Sequence, residues 1–205
     1  MMMSKKNVFY IGFFITLVIA FYFFLTALIP DFSKKKMLKI SRVRPFAFTS
    51  QDGKTITEKD VAGKVYVAEF FFTTCKSICP IMNNNMKKVF EEFKNEKDFL
   101  ILSHTSDPDN DSVPRLKRYA DSMGVSTAKW IFLTGRKDSL YNMARISYII
   151  DDPHNNVTDI KDDFLHTQLW AVVDKEGNVR KRIYDGLKQS EVKEMIADIK
   201  ELLKE

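Results

Sequence analysis

Val65-Tyr66-Val67-Ala68-Glu69-Phe70-Phe71-Phe72-Thr73-Thr74-Cys75-Lys76-Ser77-Ile78-Cys79-Pro80 is the stretch on which the reading of this chain turns. Its first half, Val65 to Phe72, is an almost unbroken apolar run bounded by Gly63 and Thr73, the pattern of a strand buried on both faces. A helix is expected from about Pro80, with Ile81, Met86, Val89, Phe90 and Phe93 as its apolar stripe. Between strand and helix stand the chain's only two cysteines.

Outward from this stretch, strands and helices alternate. Residues 46–49 and 55–57 read as a hairpin about Asp52-Gly53. Phe99 to Ser103 is a second buried strand. Ser112 is placed to cap a helix with Pro114 in its first turn and Gly124 at its end. Trp130 to Leu133 is a third strand, followed by a helix from about Lys137 to Ser147. Leu169 to Val173 and Val179 to Tyr184 form a closing hairpin, and Gln189 to Leu203 an amphipathic helix. This order predicts an α/β sandwich with parallel strands joined by helical crossovers. The longest stretch without a pattern, Asp151 to Asp163, is acidic and Asn-rich, and loops of that length in compact domains are often functional.

The net charge is +5, yet residues 1–41 hold six lysines and one aspartate, so residues 42–205 balance to zero. No basic stripe remains on the folded part to neutralise phosphates, which argues against nucleic-acid binding. The excess flanks Val8 to Ile29, 22 residues without a charge, about 33 Å as a helix and enough to cross a hydrocarbon core of roughly 30 Å. A cleaved signal peptide has a shorter apolar region followed by a small-x-small site, whereas here Leu28-Ile29-Pro30-Asp31-Phe32 follows. The expected organisation is therefore a tail at 1–7, a transmembrane anchor at 8–29, a basic tether at 30–41 and one domain at 42–205. Lysines lie on both sides of the anchor, so charge does not orient it. Confinement of both cysteines to one motif favours an oxidising, extracytoplasmic compartment, the periplasmic side of a bacterial inner membrane.

Thiols at a strand-to-helix junction lie where unpaired N–H groups stabilise a thiolate, and Lys76 adds positive charge. On a helix, residues four apart diverge by about 40° and stand one turn apart, so two sulfurs at 75 and 79 can share a metal ion or close a disulfide. The plain alternative, two inert core cysteines, suits neither the junction nor the compartment. A structural zinc site would want two more Cys or His ligands at knuckle spacing. Of the three histidines, His104 ends a strand and His154 lies in the acidic loop, and both read as ordinary polar residues. His166 enters the strand at Leu169, where an α/β sheet can bring it near the cysteines. Two thiolates and an imidazole make a soft three-coordinate set suited to Cu(I) and acceptable to Cu(II). Met82 and Met86 read as core.

The Cys-x-x-x-Cys-Pro motif, Asp107-Pro108-Asp109-Asn110-Asp111-Ser112, Trp130-Ile131-Phe132-Leu133-Thr134-Gly135 and Leu165-His166 occur in an order that resembles the SCO/SenC family of copper-binding proteins. The resemblance spans about residues 42–205. It implies a thioredoxin-like fold with a central mixed sheet, Cys75, Cys79 and His166 as copper ligands, and Asp107 in a supporting acidic position. Two departures stand out: the family usually has Pro where Lys76 stands, and often Arg where Asn110 stands.

The resemblance implies a copper metallochaperone that passes its metal to the dinuclear copper centre of cytochrome c oxidase, with the copper-bearing subunit or another copper chaperone as partner. A thiol–disulfide oxidoreductase acting on the target's cysteines is the alternative, since the same thiolate attacks disulfides. The three-residue spacing, the lack of Trp before Cys75 and the lack of proline between His154 and Trp170 count against a general thioredoxin-type reductant. A thiol peroxidase would need one cysteine and would leave His166 without a duty. If the domain lies outside the cytoplasm, a reporter active only in an oxidising compartment should work when fused after Glu205. Activity confined to a cytoplasm-only reporter would reverse that orientation.

Overall fold

In a computed structural model of the chain, the described residues are 5–28, 37–152, 160 and 163–205. The chain divides into two compact units, Met1–Met37 and Leu38–Glu205. The first is the helix α1 (Lys5–Leu28), within which Lys6–Thr26 is long and apolar enough to cross a bilayer. It is apolar all round, with no polar stripe to face water.

The second unit holds β1 (Lys39–Arg42), β2 (Ala47–Ser50), β3 (Thr55–Thr57), β4 (Val65–Phe71), α2 (Cys79–Phe93), β5 (Phe99–Thr105), α3 (Val113–Met123), β6 (Trp130–Thr134), α4 (Lys137–Asn142), a π-helical turn (Met143–Tyr148), β7 (Leu169–Val173), β8 (Asn178–Asp185) and α5 (Gln189–Lys204). One eight-stranded sheet runs β1-β8-β7-β4-β5-β6-β2-β3. Strands β4, β5 and β6 are parallel, with Val65 opposite Phe99 and Ile101 opposite Trp130. All other pairings are antiparallel, β7 against β4 among them. The sheet is therefore mixed, the thioredoxin-like sandwich that the resemblance implies, with parallel crossovers confined to its centre.

Every residue of β4 is buried, because helices cover both faces of the sheet. Tyr66, Ala68 and Phe70 join a core with Phe48, Leu102, Leu140, Tyr141 and Tyr148 on the α4 side. Phe71 points the other way, toward Tyr119 of α3 and Phe132, and Phe90 of α2 packs on Trp130. Met82 and Met86 are core residues there.

Several expected boundaries shift. Residues 39–41, assigned above to the tether, belong to the edge strand Lys39–Arg42 against β8. Its four residues are mostly exposed, so they carry no alternating pattern for sequence reasoning to read. The helix expected over 137–147 widens into a π turn after Asn142 and ends at Ile149, a β-branched residue at φ 55°. Ser112 stands at the start of α3 in extended geometry, but its hydroxyl makes no capping bond. Gly124 does end α3, at φ 66°. Strand β5 continues to Thr105, which leaves His104 fully buried, stacked on Phe70 at 5.1 Å. Burial holds its imidazole down at about 4, so it is neutral. His154, the tether residues 30–36 and most of the acidic loop lie outside the described residues.

Glu69 is the one acidic residue in β4 and is 1% exposed. The Ser103 hydroxyl donates to it at 2.6 Å, and Trp130 Nε1–H donates to Ser103 at 2.7 Å. Burial pushes the Glu69 carboxyl up to about 7, against the hydrogen bond from Ser103. The folded state therefore keeps a proton that the unfolded chain releases near 4.5. Stability from this group is full below that value, declines as pH rises and is lost above about 7. Glu69→Gln should accordingly stabilise the domain at pH 8 by up to about 3 kcal/mol and change little at pH 4. Urea unfolding at the two pH values measures this, and an equal effect at both would contradict it.

Candidate metal centre

Cys75 and Cys79 lie in the segment joining β4 to α2, but not on one helix. Helix α2 begins at Cys79, and Thr73 to Ile78 form a turn. Pro80 explains the difference from the helical spacing expected above. It has no N–H to donate to the Lys76 carbonyl, and its ring would clash there, so the helix cannot extend back to Cys75. Instead the turn folds back through the Cys75 N–H to the Phe72 carbonyl at 3.2 Å. Both cysteines are free thiols, Cys75 half-buried and Cys79 buried.

This asymmetry separates their chemistry. Burial opposes ionisation of Cys75, but the thiol and N–H of Cys79 and the hydroxyl and N–H of Ser77 face its sulfur and bring it down to about 6. The Ser77 hydroxyl lies 3.6 Å from that sulfur. Burial pushes Cys79 up to about 12, assisted by the proton it shares toward Cys75. Lys76 and Ser77 are exposed.

The turn is fixed from below by a residue that sequence reasoning did not single out. Asp111 is fully buried, accepts from the Thr73 N–H at 3.1 Å and from the Thr73 hydroxyl at 2.5 Å, and from the Thr105 hydroxyl at 2.6 Å. Arg115 Nε donates to the same Thr73 hydroxyl at 2.7 Å. The only sequence signal was a third carboxylate in the Asp107–Ser112 segment, and nothing in spacing ties it to Thr73. Asp107 sits half-buried, with both carboxylate oxygens accepting from the Asn110 side chain at 3.1 and 2.9 Å. Among the described residues its carboxylate bonds to Asn110 and to neither cysteine.

His166 approaches from β7. Along 163–167 buried and exposed residues alternate, so Phe164 and His166 project on one side while Asp163, Leu165 and Thr167 are buried. Phe72, three residues before Cys75, packs edge-on against Phe164 at 5.1 Å and lies 5.8 Å from the His166 ring. The two thiols thus face each other, and the His166 ring lies against Phe72, three residues before the first of them. Among the described residues, no three Cys, His, Asp or Glu side chains form a closed group of metal donors. Cys75 is half-buried and His166 exposed, so solvent reaches both side chains.

Iodoacetamide should alkylate Cys75 with a midpoint near pH 6 and leave Cys79 unmodified through neutral pH, because the thiolate is the nucleophile. Peptide mass spectrometry across pH reads both. A Cys75 midpoint in the ordinary thiol range of about 8–9 would refute the assigned environment.

The SCO1/SenC family model matches residues 35–204. The SCO1 protein homolog of Bacillus subtilis (strain 168) is 32% identical over 162 residues, covering 77% of this chain and 81% of the relative. The solved structure of BsSco, described as a member of the Sco family of cytochrome c oxidase assembly proteins with a disulfide switch, is 30% identical at a TM-score of 0.68. That match covers 84% of this chain and 98% of the other. Arabidopsis thaliana ScoI, solved with copper bound, is 25% identical at a TM-score of 0.62, covering 78% and 99%. With one sheet order, one thiol turn and one family model running through nearly the whole of its second unit, this chain belongs to the SCO1/SenC family.

Proposed function

We propose that this protein is a copper chaperone of cytochrome c oxidase assembly, carrying copper as cargo on Cys75, Cys79 and His166. The observation that carries the reading is the pair of facing free thiols, one shifted down to about 6, in the turn after Phe72, whose ring lies 5.8 Å from that of His166. Two sulfurs and one imidazole are soft donors that favour copper over hard cations. Family membership and the copper-bound Arabidopsis relative support the cargo. The relative described as a cytochrome c oxidase assembly protein supports that oxidase as the destination, and within it we propose the dinuclear copper centre. The acceptor is the copper-bearing subunit, or a further copper chaperone.

The geometry suits transfer by ligand exchange. Cys75 is ionised and accessible at neutral pH, so it meets or yields the metal first. Cys79 is buried and protonated, so it joins once copper displaces its proton. The apolar run at 8–29 acts as a single-pass anchor that keeps the domain outside the cytoplasm, with residues 1–7 as its tail. Asp107, one strand over, supports the site through its negative charge.

A second reading draws on the same thiols. The disulfide switch described for BsSco favours exchange in which the Cys75 thiolate attacks a target disulfide and Cys79 resolves the mixed disulfide. Two electrons then pass to the target, and Cys75 and Cys79 end as a disulfide. A peroxidase would leave His166 unused and falls behind both.

Copper titration of the full-length chain in detergent, reduced and oxidised, tests the proposal. One copper per chain should bind, only when the thiols are reduced. Cys75→Ser/Cys79→Ser should abolish binding. His166→Ala should weaken it by at least about tenfold, or ~1.4 kcal/mol, and still cycle between dithiol and disulfide. Tight binding without the two cysteines would defeat the site. A His166→Ala protein that binds copper normally but fails in target assembly would move the oxidoreductase ahead.

A further inference from the structure

Tyr141 lies in α4 and Arg145 four residues on, in the π turn, and both are buried. The Tyr141 hydroxyl accepts from the Leu165 N–H at 3.0 Å and donates to the Ser106 carbonyl at 2.8 Å. One oxygen atom therefore joins the residue before His166 to the residue before Asp107. The Arg145 guanidinium lies over the Tyr141 ring, 5.4 Å from its centroid. It grips Asp163 with both terminal nitrogens at 2.7 and 3.1 Å, and its Nε reaches Asp151 at 2.8 Å. On the far side of His166, the Thr167 hydroxyl donates to the Ile150 carbonyl at 2.9 Å and accepts from the Leu169 N–H at 3.1 Å.

Burying a guanidinium with two carboxylates carries a desolvation penalty that only good geometry offsets. A loop that merely had to cross the surface would not need such a device. Here it closes the acidic segment at both ends and stops three residues short of His166. The residues on either side of His166 are pinned to buried partners, so its freedom is reduced to its own side-chain torsions. A donor held in that way joins a metal without first ordering a loop, which strengthens binding by lowering the entropic penalty.

We infer that Tyr141 and Arg145 are positioning residues for His166, holding its backbone where the imidazole can complete the two-sulfur copper site. The inference rests on the reading of His166 as a copper donor. Neither residue touches the metal. Tyr141 acts through the Leu165 N–H, and Arg145 through Asp163 and the Tyr141 ring.

The test is copper affinity of the full-length chain in detergent, by competition with a chelator, for the parent, Tyr141→Phe, Arg145→Lys, His166→Ala and Tyr141→Phe/His166→Ala. Thermal melts and the Cu(II) paramagnetic resonance spectrum are recorded alongside. Tyr141→Phe keeps the ring and loses one hydroxyl, so it should fold and should bind copper about fivefold to tenfold more weakly. Its spectrum should lose part of the nitrogen coupling from the imidazole. With His166 already replaced, the same change should have no further effect on affinity. Arg145→Lys should weaken binding in the same direction, and if it does not fold, Tyr141→Phe decides alone. Parental affinity and spectrum in Tyr141→Phe, with His166→Ala impaired, would overturn the inference and leave the ligand reading intact. Equal weakening with and without His166 would also overturn it, because that is a packing effect. A His166→Ala protein that binds like the parent would remove the ligand reading and the inference with it.

Discussion

Strand β4 is covered on both faces along its whole length, so no residue within it can present a reactive group to another molecule. The chain becomes accessible only where β4 ends, and that end gathers the rest of the site. Strand β5 runs parallel to β4 with Thr105 opposite Phe71, so the Asp107–Asp111 segment emerges at the same edge. Strand β7 is antiparallel, with Ala171 opposite Ala68, so its start rather than its end lies there, and His166 just before it. Three segments distant in sequence therefore converge at one edge because of strand direction alone. Ligand sites of α/β sheets lie at the carboxyl ends of their parallel strands for the same reason.

Within that edge the two thiols are unlike by design of the turn. Pro80 forbids a helical turn back to Cys75, so Cys79 is taken into the first turn of α2 and buried while Cys75 stays outside it. The consequence is electrostatic. The polar hydrogens of Cys79 and Ser77 stabilise a thiolate at Cys75, and a buried neighbour without such help keeps its proton. One accessible anion beside one protected thiol serves both metal hand-over and disulfide exchange, which explains why one motif supports both readings. Asp111 keeps the arrangement in place by holding Thr73, two residues before Cys75, with a buried carboxylate.

Strong periodic signals in the sequence survive folding, and weak ones do not. The β4 run, the Gly53 and Gly177 hairpins and the Gly124 helix end are all legible, because burial on both faces and left-handed turn geometry each restrict residue choice. The approach of the His166 segment to the end of β4 depends on β7 running antiparallel to β4, a direction that residue patterns do not encode. The geometry within the turn was not legible, since a spacing of four suits a helix until Pro80 is weighed as a missing donor. Edge strand β1 is exposed and short, and leaves no pattern. Asp111, Tyr141 and Arg145 act through hydrogen bonds over 18 to 38 residues of sequence, and no local periodicity encodes such pairs.

The two departures from the family pattern fall in different physical settings. Lys76 is exposed between the cysteines, so its side chain alters the surface a partner meets without touching the hydrogen bonds that set the Cys75 sulfur. Asn110 is different, because its amide donates to both oxygens of Asp107. An arginine there would offer the same bidentate grip together with a full positive charge. The amide orients the carboxylate without adding a charge of its own. The departure therefore keeps the hydrogen-bond geometry of this segment and changes its charge.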